Sequence, residues 1–500
     1  MTPMFWQWVL AAPIVLPLAG GAIGFLAIRR VGIAQAATLL ASIGTLLAAI
    51  LLFGEVRQSG ALVMQASRWD APFGITLVAD GLSALLVMLA AAVGLGVQLH
   101  AMRTVDQEER RFGFFPLFHL LLAGANGAFL TGDIFNLYVW FEVTLIAGVG
   151  LLALGQSKPQ VDATLKYVAI NLVGTTIYLI ATGLLYGATG SLNMADISAR
   201  LLTEPDSGTL GAIGLLFVFS LALKSAAFPL FFWLPAAYHT PSVAVSAVFA
   251  GIVTKVGAYA LLRVVVLVFS PKAEMFVDVI LWIAILTLLV GGIGALVQRD
   301  LRRLLSYALV AGIGYILLGL GIGTAESLGG GIFYAAHHIV LMTTFFLLAG
   351  HVAGVAGSFS LDRMGGLLDR QTFLAILFFV AIVALSGLPP LGGFWAKAWL
   401  IKAALAAGSW FAAGAALVSG LLVLIALGQA WAMIFWRKGP ASSDTPAALR
   451  LPSLAPTVAL LILAVAMGLH PEPWLDISAR AAAALLDVEG YQATVLGGRR

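Results

Sequence analysis

The chain has 500 residues, 61% of them hydrophobic and 10% charged, with a mean hydropathy of +1.02. Soluble domains carry about 25% charged and 45–50% apolar residues, so an ordinary water-soluble enzyme is excluded, and so is disorder. Lys and Arg number 27 against 23 Asp and Glu, a net charge of +4 that argues against nucleic-acid recognition, and with no cysteine there is no disulfide framework or thiolate site.

A membrane crossing takes about 20 apolar residues. Runs of that kind fall at 7–27, 33–53, 78–99, 112–131, 134–154, 166–187, 210–234, 242–269, 276–297, 304–323, 328–350, 372–405, 409–436 and 451–470. The pattern predicts an all-α polytopic membrane protein with about fourteen transmembrane helices. Because the runs are continuous rather than alternating, a β-barrel is excluded. The first run has neither a basic leader nor a small-residue cleavage site and reads as a membrane helix, not a signal peptide. The polar stretches between runs are too short for a soluble domain.

Placing the N-terminus outside puts 15 basic residues on the inner face, among them Arg103, Arg299, Arg302, Arg303, Arg437 and Arg450. Seven fall on the other face: Arg57, Arg68, Arg200, Lys272, Arg480, Arg499 and Arg500. The positive-inside rule then sets both termini on the non-cytoplasmic side.

The remaining basic residues, Lys224, Lys255, Arg263, Lys397 and Lys402, lie inside apolar runs. A charge at a helix centre costs roughly 2.5–3.5 kcal/mol on insertion scales, so such residues mark function by default. Glu142, in IFNLYVWFEVTLIAGVGLLAL, is the mid-run carboxylate. Asp133 precedes it at a helix junction, where a capping role fits better than proton carriage, and Asn136 lies beside it. Lys224 sits in FVFSLALKSAAFPLFFWLP, where Pro229 and Pro235 should break the helix; the freed backbone groups must then face protein or water. Lys397 follows a second interruption at Pro389 and Pro390. Lys255 is flanked by small residues, whereas Arg263, two turns on, suits snorkelling or an interhelical pair at least as well as transport. Lys402 is expected to reach the interface.

His337 and His338 are adjacent, so about 100° separates them on a helix and both cannot face one channel equally. No carboxylate or cysteine sits at metal-ligand spacing from them, so metal binding is not expected, while an ordinary pKa near 6.5 suits a proton relay. His239, in WLPAAYHTPSVAVSA, reads as an entrance group or a loop cap. Desolvation lowers a lysine pKa and a nearby carboxylate raises it; a Glu142–Lys224 ion pair that opens and closes would switch whether the lysine keeps its proton.

The segments GDIFNLYVWFEV, LKSAAFPLFFWLPAAYHTPSVAVSAVFAGIVTKVGAYALLR, QRDLRRLLSYALVAGIGY and LSGLPPLGGFWAK resemble, in order, those of the antiporter-like subunits shared by Mrp cation/proton antiporters, respiratory complex I and membrane-bound hydrogenases. The likeness is greatest to the D-type subunits of Mrp Na⁺/H⁺ antiporters. It implies a hydrated axis formed by Glu142, Lys224, Lys255, His338 and Lys397, and two inverted five-helix repeats at 112–269 and 270–436, flanked by helices in 1–111 and by a last helix and amphipathic tail in 437–500. It further implies a bacterial inner-membrane location and a hetero-oligomeric complex exchanging H⁺ for Na⁺ or another monovalent cation. The chain would be a transporter subunit rather than an enzyme, with no cofactor; no GxxxxGK[ST] motif offers ATP coupling. The alternative is a homologous proton-pumping subunit of a redox complex. One position departs from the family: Met342 stands where many members carry a lysine four residues after the histidine, so water or His338 would have to bridge Lys255 to Lys397.

Overall fold

The computed structural model describes residues 3–69, 71–203, 208–438 and 451–497. Arg450, Arg499 and Arg500 lie outside these residues, as does part of the 437–500 segment.

Lipid offers no partners for backbone N–H and C=O groups, so each apolar run closes its own hydrogen bonds as a helix. The N-terminal part comprises α1 (Pro3–Leu26), α2 (Val31–Ser59), α3 (Gly81–Thr104) and the single turn α4 (Gln107–Arg111). Next come α5 (Phe114–Leu130), α6 (Ile134–Ala153), α7 (Lys158–Thr189), the short α8 (Met194–Leu201) and the broken pair α9 (Gly208–Ser225) and α10 (Trp233–Ala237). One crossing, Val243–Val268, is assembled from α11 (Val243–Val248), a π-turn Phe249–Val253, α12 (Thr254–Leu262) and a second π-turn Arg263–Val268. Then follow α13 (Glu274–Val297), α14 (Leu301–Ile322), α15 (Ala325–Ala356), the broken pair α16 (Thr372–Ser386) and α17 (Gly392–Ala406), α18 (Trp410–Trp431) with a terminal π-turn Ala432–Trp436, and α19 (Leu451–Leu469). Among the described residues twelve helices are long and apolar enough to span a membrane, and two shorter apolar ones, α5 and α16, complete the fourteen crossings.

The two inverted repeats correspond element by element. Asp133 caps α6 by accepting from the Asn136 N–H at 2.6 Å, and Asp300 caps α14 by accepting from the Arg302 and Arg303 N–H groups at 3.0 Å. Each aspartate also pairs with the segment after the following helix, Asp133 with Asn193 and Asp300 with Ser360. Five crossings separate the two aspartates, an odd number, so the equivalent caps stand on opposite faces. The helices that follow them, α7 and α15, are both 32 residues long. Each repeat then breaks a helix and ends in a crossing with a terminal π-turn.

The face bearing Asp133 carries a lid that the sequence had shown only as connecting loops and a tail. Strands β1 (Leu62–Gln65) and β2 (Thr76–Ala79) pair antiparallel, and the Gly132 N–H donates to the Thr76 carbonyl at 2.8 Å. Helices α20 (Glu472–Leu486) and α21 (Val488–Leu496) lie over this side, with Gln492 Nε2 donating to Ser198 Oγ of α8 at 3.2 Å. Four-residue strands are too short to stand out from apolar surroundings by alternation, which is why they went unseen.

Candidate functional site

Helix α9 ends earlier than its prolines suggest. It stops at Ser225, one residue after Lys224; Ala226 takes a left-handed φ of 60°, and Pro229 lies inside the break. Pro235 does not break a helix at all. It is the third residue of α10, in the first turn, where a missing N–H costs nothing. Lys224 therefore occupies the last turn of a half-helix, where the C-terminal carbonyls and macrodipole favour a cation. Its ammonium stands over the Phe141 ring, 5.2 Å from the centroid, and not against the Glu142 carboxylate. The expected ion pair is open in this structure: Glu142 is close enough for its charge to act on Lys224, yet its buried Oε1 has no hydrogen-bond partner. A cavity of about 20 Å³ lies beside Lys224, lined by Phe141, Thr144, Asn171 and Gly257 among others. That is space for about one water molecule, and its lining includes polar groups that could hold one.

Lys255 is 1% exposed and lies on α12, between the two π-turns. The sequence had suggested an unbroken α-helix here. Its ammonium donates to the Ala250 carbonyl, 2.5 Å away in the first π-turn, so the widened backbone supplies the acceptor. His338 lies beyond it on α15, stacked near Tyr334 with centroids 5.1 Å apart, and neither ring nitrogen has a hydrogen-bond partner. Its imidazole presses against Gly312 of α14; a Cβ there would collide with the ring, so only glycine admits the histidine this close. His337 turns away, as helix geometry requires, and packs against Gly392 at the start of α17.

Lys397 reaches back across the second break. Its Nζ donates to the Leu385 and Ser386 carbonyls at 2.9 and 3.0 Å, which are the last carbonyls of α16, and lies 4.8 Å from the centre of the Tyr315 ring. Pro389 and Pro390 both lie in the five-residue gap between α16 and α17. Beside Lys397 a cleft of about 560 Å³, lined also by Tyr315, Ser386, Phe394 and Lys402, opens to the surroundings. Lys402 is exposed and stands 4.0 Å from Glu326.

The secondary candidates are structural in their contacts. Asp133 is the α6 cap, and the Asn136 carbonyl oxygen accepts from Trp140 Nε1 at 2.8 Å. His239 donates from Nδ1 to the Pro235 carbonyl at 2.9 Å, leaving Nε2 to accept from Arg303 at 3.0 Å. Arg263 is 3% exposed and makes an interhelical pair, its Nη2 2.5 Å from Asp80, which also caps α3.

Three features were not read from the sequence. Asp80, near the start of the apolar run at 78–99, was not singled out. Tyr315 and Tyr334, whose rings lie 4.9 Å apart, fill the space between Lys397 and His338, where Met342 offers no titratable group. On the face bearing Arg103 a cleft of about 540 Å³ is lined by Ser242 and by His100 and His351, whose rings meet edge to face at 5.0 Å. The signal available was buried aromatic and histidine residues in wholly apolar helices, which is ambiguous without a fold.

Chemically, the lysines share one device. None is clamped by a carboxylate among the described residues; Lys255 and Lys397 are held by main-chain carbonyls, which accept from an ammonium and, more weakly, from a neutral amine. Loss of a proton therefore does not cost the hydrogen bond.

A fourteen-helix membrane fold with inverted repeats, broken helices and buried lysines at their centres defines a class of ion-translocating subunit. The family profile described as NADH:quinone oxidoreductase/Mrp antiporter, TM, matches residues 131–423, and the chain belongs to that family. It is 38% identical to the D subunit of the Na⁺/H⁺ antiporter of Alkalihalophilus pseudofirmus over 97% of this chain and 98% of that one. A chain in the structure of the Mrp complex from Dietzia sp. DQ12-45-1b superposes with a TM-score of 0.91 at 30% identity, covering 99% of this chain and all of that one. A chain of the membrane-bound sulfane sulfur reductase, an archaeal respiratory membrane complex, gives the same TM-score at 26% identity, covering 98% and 100%.

Proposed function

We propose that this chain is the proton-translocating subunit of a hetero-oligomeric Na⁺/H⁺ antiporter of the bacterial cell membrane, powered by the proton-motive force. Protons pass along Glu142, Lys224, Lys255, His338 and Lys397, with repeats at 112–269 and 270–436 and both termini on the non-cytoplasmic side. The observation that carries this reading is the placement of three buried lysines at helix breaks or a widened turn, with carbonyl or aromatic partners in place of carboxylates. A charge held this deep without a carboxylate partner marks function by default. The open Glu142–Lys224 pair supports the switching role: closing it would hold the proton on Lys224, and opening it, as here, frees the lysine to pass the proton on.

The test is expression with its partner subunits in everted vesicles, following collapse of a proton gradient on Na⁺ addition. Wild type should exchange. Glu142→Ala and Lys224→Ala should abolish exchange in a correctly assembled complex; unchanged exchange in either refutes the relay. A second reading, proton pumping inside a redox complex, is favoured by the equal superposition on the sulfane sulfur reductase chain. Na⁺-dependent exchange in the absence of any electron donor excludes it.

A further inference from the structure

The crossing that contains α12 carries more than the central lysine. Lys255, Tyr259 and Arg263 follow at intervals of four and share one face of the helix. Arg263 Nε donates to the Tyr259 hydroxyl at 2.9 Å, and that hydroxyl donates to the Phe129 carbonyl at 2.6 Å, near the end of α5. Arg263 Nη2 lies 2.5 and 2.6 Å from the two oxygens of Asp80. Its Nη1 has no hydrogen-bond partner, although only 3% of the residue is exposed.

Inward of this ion pair lies a cavity of about 10 Å³, whose lining includes Lys255, Ala258, Tyr259 and Leu262 of α12 and Leu82 and Leu86 of α3. That is about the smallest space that admits one water. Outward of it are the β1–β2 hairpin and α21, with Tyr491 near enough for electrostatic contact with Arg263 and Asp80. Asp80, Asp133 and Arg263 are all on the arginine-poor face, separated by even numbers of crossings. The ion pair therefore lies between that face and a cavity that touches the central lysine.

Resting on the antiporter reading above, we propose that Asp80 and Arg263 gate a transverse proton branch that leaves the relay at Lys255 and runs past Tyr259 to the arginine-poor face. With the pair closed, bulk water cannot reach the cavity. When the pair separates, water fills the path, and Lys255 exchanges its proton with that face through the Tyr259 hydroxyl, which accepts one proton on its oxygen as it gives up its own. Arg263 keeps its charge throughout. Opening only in step with the cation keeps the branch from acting as a leak.

The purified wild-type complex and its variants are reconstituted in phosphatidylethanolamine–phosphatidylglycerol vesicles loaded with a pH dye, and an imposed proton gradient is followed without Na⁺. Asp80→Asn keeps an acceptor for the α3 cap but removes the lock; because it leaves Arg263 unpaired, the doubly neutral Asp80→Asn/Arg263→Gln complex is measured beside it. A lock of one charged hydrogen bond holds the closed-to-open ratio near tenfold or above, so either variant should leak about tenfold faster than wild type. Adding Lys255→Ala should return the rate to the wild-type level. An assembled complex with no leak overturns the gate, and a leak that survives Lys255→Ala overturns the branch. Failure of both neutral variants to assemble would overturn it too, assigning the pair to holding the fold. A leak that depends on Lys255, in a complex whose wild type shows no Na⁺-driven exchange, sinks the antiporter reading while leaving the branch standing.

Discussion

Gly257→Ala probes the contact on which the position of Lys224 depends. Gly257 lies on α12 where it crosses the end of α9, and a Cβ added there would fall 2.8 Å from Lys224 C and from Ser225 N, and 2.9 Å from Ser225 Oγ. Ordinary contact begins at 3.4 Å, so the two elements must part by about 0.6 Å. The two nearest obstructing atoms are main chain at a helix terminus and cannot rotate aside. Overpacking of this kind costs about 1–3 kcal/mol, and any relief has to come from moving the turn that carries Lys224. Two readouts follow on the purified complex: a lowered unfolding temperature, and weakened Na⁺-driven exchange in vesicles. Gly183→Ala on α7, where nothing lies within 4 Å of the new methyl, is the control and should lower neither. If Gly257→Ala behaves like Gly183→Ala, α12 and α9 are not pressed together at this point, and Lys224 is not held in place by their contact.

Lys397→Ala should abolish proton exchange while assembly, followed by native gel, stays normal. Of the two residues whose carbonyls it deserts, Ser386 lines the cleft of about 560 Å³, where water can replace the ammonium and offset much of the desolvation penalty of about 1–3 kcal/mol per lost acceptor partner. Met342→Lys puts a titratable group one turn beyond His338, at a position with no exposure; a large change in exchange rate or pH optimum is expected, and an unaltered profile would take the site off the pathway. Glu109, in the short α4 helix outside the spans, has its pKa raised above 4.5, chiefly by burial and further by the neighbouring Asp106 charge. Its neutral form thus stabilises the fold, fully below about pH 4.5 and decreasingly as pH rises through the raised value. Thermal unfolding of Glu109→Gln across pH 4 to 8 should show a flatter dependence than wild type.

The count of crossings, the two interruptions and the residues Glu142, Lys224, Lys255, His338 and Lys397 were legible because charge in a lipid-spanning run is conspicuous against its neighbours. What could not be read concerns the backbone. Proline marked the first break, but the turn at Ala226 decides where it begins, and the π-turns around Lys255 leave no mark in residue type. Asp80 was hidden for a different reason: its partner is 183 positions away, and an aspartate before a helix is explained well enough by capping. The roles proposed for the lysines rest on the likeness to known antiporter-like subunits; their contacts came only with the fold.

The acceptors of Lys255 and Lys397 are main-chain oxygens, and this has an evolutionary consequence. No point mutation at Ala250, Leu385 or Ser386 deletes a carbonyl. Side chains there can drift while the lysine's partner persists, and the partner is lost only when the break itself changes shape. Selection on this site should therefore fall on glycines, prolines and turn lengths, so that the polar partners of the proposed pathway are inherited as geometry rather than as residue identity.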